Sequence, residues 1–123
     1  MQTILIVDDN IDLCKPMATL LKQLGYNSHY ATGGEAALKF ITETLPDLII
    51  LDVMMPDMDG LEVLRRLKTE VRTQPVPVVM FSAIADSEFR AHAISKGAVD
   101  YWVKAGVDFG QMRQRISKLL PPA

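Results

Sequence analysis

The chain has 123 residues, about half of them hydrophobic, with a formal net charge of −2. That length fits one domain, residues 1–123, whose core needs no staples, and the mildly acidic balance argues against direct nucleic-acid binding, which calls for a basic face. Cys14 is the only cysteine, so an internal disulfide is excluded and a reducing, cytoplasmic setting fits, and no apolar run approaches the roughly 20 residues that cross a bilayer.

Strand and helix patterns alternate from end to end. Thr3 to Val7 reads as a first strand, and Leu13, Met17, Leu20, Leu21 and Leu24 follow at helical spacing, with Gly25 as the stop. Pro16 falls inside that helix, where it kinks the axis or shifts the regular start later. Cys14 is expected to pack as an ordinary helix residue. Asn27 to Ala31 is a more polar strand suited to a sheet edge, and Thr32 with Glu35 has the spacing of a capping box opening a helix through about Glu43. Pro46 and Asp47 turn the chain into a third strand, Leu48 to Leu51.

A loop rich in Met, Pro, Asp and Gly leads to a third helix with Leu61, Leu64, Leu67 and Val71 on its apolar face. Gln74 to Pro77 is a loop, Val78 to Phe81 a fourth strand, and Asp86 caps a fourth helix that stops near Lys96 and Gly97. Asp100 to Val103 is a fifth strand. Phe109, Met112, Ile116 and Leu119 mark a last helix that Pro121 and Pro122 end. Five strand–helix units imply right-handed crossovers and an α/β, doubly wound parallel sheet with helices on both faces.

Ligands of such sheets bind beyond the carboxyl ends of the strands. Four strands here end in groups that carry chemistry: Asp8 and Asp9, Asp52, Ser82 and Lys104. Three carboxylates in one crevice repel one another unless a cation joins them. Magnesium takes oxygen ligands, often one or two carboxylates with water and phosphate. Asp9 and Asp52 are candidate ligands, with Asp8 binding directly or through water. Lys104 is a flexible point charge for a phosphoryl oxygen, and Ser82 can donate to another. Carboxylates, a hydroxyl and an ammonium at matching strand ends are what phosphoryl transfer to a carboxylate requires. His29 and His92 lack ligand-like spacing and are assigned to structure or surface, while Arg113, Arg115 and Lys118 form the solvated side of the last helix.

The segments Ile6-Val7-Asp8-Asp9-Asn10, Leu51-Asp52-Val53-Met54-Met55-Pro56-Asp57-Met58-Asp59-Gly60, Phe81-Ser82-Ala83 and Tyr101-Trp102-Val103-Lys104 resemble those of receiver domains of two-component response regulators. The resemblance covers the whole chain. It implies a flavodoxin-like sheet of order 2-1-3-4-5 with five helices, and phosphorylation of Asp52 by a sensor histidine kinase or histidine phosphotransfer protein. It implies a Mg2+ site (Mn2+ as a substitute) built from Asp8, Asp9, Asp52 and the backbone carbonyl of Met54. Ser82, the Ala83 backbone and Lys104 would hold the phosphoryl group, and Tyr101 would swing inward as Ser82 moves. That re-shapes the face of the fourth helix, fifth strand and fifth helix for a downstream protein, an effector domain or a dimer. Trp102 alternates to the other face and is expected to pack or to meet a partner.

The chain departs from the family pattern where Ala105, not proline, follows Lys104, so a trans peptide is expected there. Met54 and Ile84 stand at two positions that in the family govern access of water to the acyl phosphate, and both are apolar. An aspartate-nucleophile phosphatase on a similar sheet is the alternative, but such enzymes place nucleophile and acid two residues apart, whereas Asp8 and Asp9 are adjacent. A receiver-like scaffold without phosphorylation is a further alternative, against which the retained polar groups weigh.

Overall fold

Continuous apolar runs become strands that are buried on both faces. In a computed structural model that describes residues 1–120, five strands form one parallel sheet in the order β2-β1-β3-β4-β5. They are β1 (Thr3–Val7), β2 (Asn27–Ala31), β3 (Leu48–Leu51), β4 (Val78–Ser82) and β5 (Asp100–Val103). The helices α1 (Ile11–Gln23), α2 (Gly34–Glu43), α3 (Gly60–Thr69), α4 (Ser87–Ser95) and α5 (Phe109–Leu119) connect and cover them. Every residue of the inner strands β3 and β4 is buried, whereas the polar edge strand β2 buries only Ser28 and Ala31.

Side chains alternate across the sheet and so divide the core in two. Leu5, Ile49, Leu51, Met80 and Tyr101 face α2, α3 and α4, where Ala37, Ile41, Val63, Leu64, Leu67 and Ala93 meet them. Ile4, Ile6, Ile50, Val79, Phe81 and Trp102 face α1 and α5, meeting Met17, Leu21, Met112 and Ile116. Cys14 packs there at 0% exposure, and Trp102 is equally buried. The sheet therefore holds its rim between two packed layers.

Local signals fix most helix ends. Asn10, Asp59 and Asp86 accept a backbone N–H from the first turns of α1, α3 and α4, and Asp108 does so in a full capping box with Gln111 on α5. Gly25, at φ +99°, makes the left-handed turn after α1. Pro16 neither delays nor ends α1, which starts at Ile11 and runs through it; its ring is on the exposed side.

Four expectations need correction. Thr32 and Glu35 form no capping box: Gly33 is the N-cap of α2, and no side chain of its own caps the helix. Val71 is no part of the apolar face of α3, because the chain leaves the helix at Glu70 and Val71 is 86% exposed. Instead the Thr73 hydroxyl donates to the Leu67 carbonyl at 2.6 Å and Lys68 Nζ to those of Gln74 and Val76, which folds the chain back before Pro77. Phe109 opens α5 and is about half exposed. Arg115 is not simply solvated, since its guanidinium lies 6.0 Å from the centre of the Trp102 ring. β4 also runs one residue further than expected, to Ser82. The expected stop at Pro121 and Pro122 lies outside the described residues; α5 ends at Leu119.

Candidate functional site

Backbone ladders carry the acidic residues to a common rim. Asp8 N–H donates to the Ala31 carbonyl at 3.1 Å and Asp52 N–H to the Val7 carbonyl at 2.8 Å, so both residues extend their strands by one step. Asp8 and Asp52 are buried and Asp9 is exposed. Oxygens of the three carboxylates all lie within 4.8 Å of one another. Gly60 closes the loop after Asp52: its N–H donates to the Val53 carbonyl, and a Cβ there would collide with the Asp52 carbonyl. Only glycine permits that approach.

Lys104 arrives from the end of β5, 96 residues from Asp8. Its ammonium donates to Asp8 Oδ2 at 2.7 Å and lies 3.5 Å from Asp52 Oδ1. A short 3-10 turn, Lys104–Gly106, follows, and the Lys104–Ala105 peptide is trans as expected. Phe81 lies beneath the ammonium, 5.7 Å from ring centre to Nζ; sequence reading gave this residue no part in the site. The Cys14 thiol donates to the Asp8 backbone carbonyl at 3.3 Å, and the Asn10 N–H to Asp8 Oδ1 at 2.9 Å, which together fix the carboxylate's position.

The charges respond to this crowding. Burial, then the charge of Asp8, raises the Asp52 pKa above the ordinary carboxylate value, and Lys104 only partly offsets them. Burial by itself would lower the Lys104 pKa, but its hydrogen bond to Asp8 and the charges of Asp52 and Asp8 outweigh it and raise the value. Burial pushes the Cys14 thiol up to about 11, with Asp8 adding to the effect, so it stays protonated. Two buried carboxylates and a third beside them face one ammonium. An all-oxygen donor set with surplus negative charge suits a hard divalent cation, so these residues fit Mg2+.

The remaining candidates line the same rim. Ser82 is fully buried at the end of β4, and its Oγ accepts the Ile84 N–H at 3.1 Å. Ala83 is exposed and Ile84 half-buried, while the Met54 side chain is 65% exposed. Tyr101 already occupies the inward position that the resemblance reserves for a later step: it is 2% exposed, its hydroxyl donates to the Ile84 carbonyl at 2.8 Å, and its ring meets Phe89 edge-on. Trp102 points the other way, with Nε1 donating to Asp100 Oδ2 at 2.8 Å. His29 packs on Phe40 and His92 is exposed on α4, both away from the rim.

Asp57 was not singled out by the sequence. It reaches from the loop after β3 to the start of α2, where its carboxylate accepts the Gly34 N–H at 3.2 Å and the Glu35 N–H at 3.0 Å. These bonds hold its pKa below the usual aspartate value, the Glu35 bond most strongly. The cap that Thr32 was expected to supply thus comes from 22 residues away along the chain.

Residues 4–117 match the model of the response regulator receiver domain. The chain is 35% identical over 117 residues, 95% of its length, to the transcriptional regulatory protein ZraR of Escherichia coli. It is 35% identical over 102 residues, 82% of its length, to the regulatory protein AtoC of the same bacterium. It spans about a quarter of the length of these relatives, 26% and 22% respectively. Among solved structures it is similar to the response regulator TrrA of Thermotoga maritima in complex with Mg2+–BeF, with 32% identity, a TM-score of 0.85 and coverage of 98% of this chain and 100% of that one. A receiver domain of a signal transduction histidine kinase from Syntrophus aciditrophicus gives 30% identity and a TM-score of 0.88, covering 98% and 90%. The strand order, the acidic rim and the family match agree: this chain belongs to the response regulator receiver domains of two-component systems, signalling modules and not enzymes of ordinary turnover.

Proposed function

We propose that residues 1–123 form one phosphoacceptor domain in which Asp52 takes a phosphoryl group from a phosphohistidine of a sensor histidine kinase or histidine phosphotransfer protein. The observation that carries this reading is Lys104 Nζ, set 2.7 Å from Asp8 and 3.5 Å from Asp52 at the mouth of the carboxylate cluster. An Asp52 oxygen forms the new O–P bond while the P–N bond breaks, and the electron pair of that bond stays on the imidazole nitrogen. An ionised carboxylate needs no general base.

Asp8, Asp9, Asp52 and the Met54 backbone carbonyl are the groups that would hold Mg2+, with Mn2+ as a substitute. When bound, the cation lowers the repulsion between the anionic nucleophile and the incoming phosphoryl group. Lys104 leaves its place between Asp8 and Asp52 to hold one phosphoryl oxygen. The Ser82 hydroxyl and the Ala83 N–H hold the others. Because Ser82 Oγ and the Tyr101 hydroxyl both bond to Ile84, a pull on Ser82 shifts the loop that Tyr101 supports.

Output then passes through the face of α4, β5 and α5 to a downstream protein or effector domain, or to a second copy in a dimer. The domain works in the cytoplasm and binds neither membrane nor nucleic acid itself; among the described residues no helix is long and apolar enough to span a bilayer. The apolar side chains of Met54 and Ile84 offer attacking water no hydrogen-bond partner, so the phosphorylated form persists longer than it would with polar residues there. Phosphate loss is expected to be several-fold faster from the Met54→Asn/Ile84→Glu variant, and an equal or slower loss would contradict this.

The test of the function is incubation with acetyl phosphate and Mg2+ followed by intact mass. One phosphoryl adduct on the wild type, absent from Asp52→Asn, is expected. Steady hydrolysis of varied phosphate esters without an adduct would favour a phosphatase instead.

A further inference from the structure

The loop that carries the phosphoacceptor, Asp52 to Gly60, is anchored at both ends by its own elements and in the middle by a different one. Asp57 spans the gap, its two carboxylate oxygens accepting the Gly34 and Glu35 N–H groups. The paired glycines Gly33 and Gly34 make room for it. A Cβ on Gly33 would stand 2.9 Å from Asp57 Oδ2, and one on Gly34 would stand 2.8 Å from the Cβ of Met58. Both side chains of the loop tip therefore need a bare backbone opposite them. The first N–H groups of a helix also carry partial positive charge, which suits a carboxylate. Hydrogen bonds and steric fit thus describe one joint between the loop and α2.

Building on the phosphoacceptor reading, we propose that Asp57 is a positioning residue that clamps the Asp52–Gly60 loop to the Gly33–Gly34 start of α2 and thereby holds the Met54 carbonyl in place for the cation. Asp57 touches neither the cation nor the phosphoryl group. It acts through Met55 and Pro56, the two residues that separate it from Met54, with Pro56 limiting how that segment can bend. Losing the clamp frees the loop tip, so the ligand set must be reordered each time a cation binds. Affinity falls for that reason, while Asp8, Asp9, Asp52 and Lys104 keep their places beyond the strand ends.

Mg2+ affinity by calorimetry and the rate of Asp52 phosphorylation by acetyl phosphate, measured on the whole chain, test this. Asp57→Ala should weaken Mg2+ binding about tenfold, the low end of what outer partners of metal ligands supply, and slow phosphorylation at subsaturating Mg2+ but not at saturation. Asp57→Asn, which keeps one acceptor oxygen, should recover most of both. Gly33→Ala should reproduce the loss from the other side, since Gly33 has an extended backbone and the added methyl only displaces the Asp57 carboxylate. If Asp57→Ala folds poorly, Asp57→Asn and Gly33→Ala still give the answer.

Asp47→Ala is the control. It removes a comparable carboxylate bond to a backbone N–H, that of Thr3 at 2.7 Å, at the opposite end of the sheet, and should leave Mg2+ affinity unchanged. An Asp57→Ala chain that binds Mg2+ like the wild type overturns the inference. So does a loss that Asp47→Ala matches or that Gly33→Ala fails to reproduce. A wild type that takes up no Mg2+ overturns the receiver chemistry and this inference together, whereas failure of the variants alone leaves that chemistry standing.

Discussion

Two sets of charges in this molecule use the same kind of contact and serve opposite ends. On α3, Glu62 is held by Arg65 and Arg66 at 2.8 Å each, in a fork of neighbours three and four residues apart. At the sheet rim, Lys104 meets Asp8 at 2.7 Å and Asp52 at 3.5 Å across most of the sequence. The fork is exposed, has more than enough positive charge for its one carboxylate and is screened by water and salt, so it adds little to stability. The rim is buried and carries excess negative charge, so the fold carries a cost there that a cation can relieve. Distance alone would have ranked the two sets as equals. Burial and net charge separate them.

Breaking the rim should have the largest effect. Lys104→Met leaves Asp8 and Asp52 buried without their ammonium and is expected to cost about 2 kcal/mol in chemical denaturation at neutral pH, less than a wholly buried pair because Lys104 is partly exposed. Millimolar Mg2+ should restore much of that loss by substituting one cation for another. If Mg2+ restores nothing, the carboxylates are not a cation site.

The second effect concerns pH. Asp52 has a raised pKa in the fold, so the folded chain binds more protons than the unfolded one between the ordinary aspartate value and the raised one. Its contribution to stability is therefore lost as pH rises through that window, and at neutral pH in EDTA the charged group is a burden. Asp52→Asn should raise the melting temperature by a few degrees at pH 7, with the gain shrinking toward pH 4. A variant that melts lower than wild type at pH 7 would contradict the electrostatic reading of the rim.

The smallest effect is expected at the exposed fork. The two arginines hold the Glu62 pKa down to about 2, so the stability this pair adds is present above the ordinary glutamate pKa and fades only as pH falls toward that low value. Glu62→Gln should leave the melting temperature nearly unchanged at neutral pH and ordinary salt. A shift as large as that of Lys104→Met would erase the distinction drawn between the two sets.

The sequence made the rim legible because buried parallel strands read as unbroken apolar runs, and a charged or polar residue directly after such a run stands out. Asp8, Asp52, Ser82 and Lys104 were found in that way, and the strand limits of β1, β2, β3 and β5 agree with the structure. Helix periodicity was a weaker guide wherever the tertiary structure intervened. Val71 keeps the apolar spacing of α3, but the helix has already ended, with Glu70 in an extended conformation. Phe109 keeps the spacing of α5, yet at the first helical position it remains about half exposed. Thr32 and Glu35 have the local form of a capping box, and Asp57 takes the role from another loop. Local patterns describe neighbours in the chain, and these features depend on neighbours in space.

A crystal structure of the chain with Mg2+ and beryllofluoride, a mimic of the phosphoryl group, tests the central claim most directly. The account predicts beryllium on the Asp52 carboxylate, Lys104 turned to a fluoride, and the cation bonded by Asp9, Asp52 and the Met54 carbonyl. Beryllofluoride absent from Asp52, or a cation bound away from these carboxylates, would contradict it.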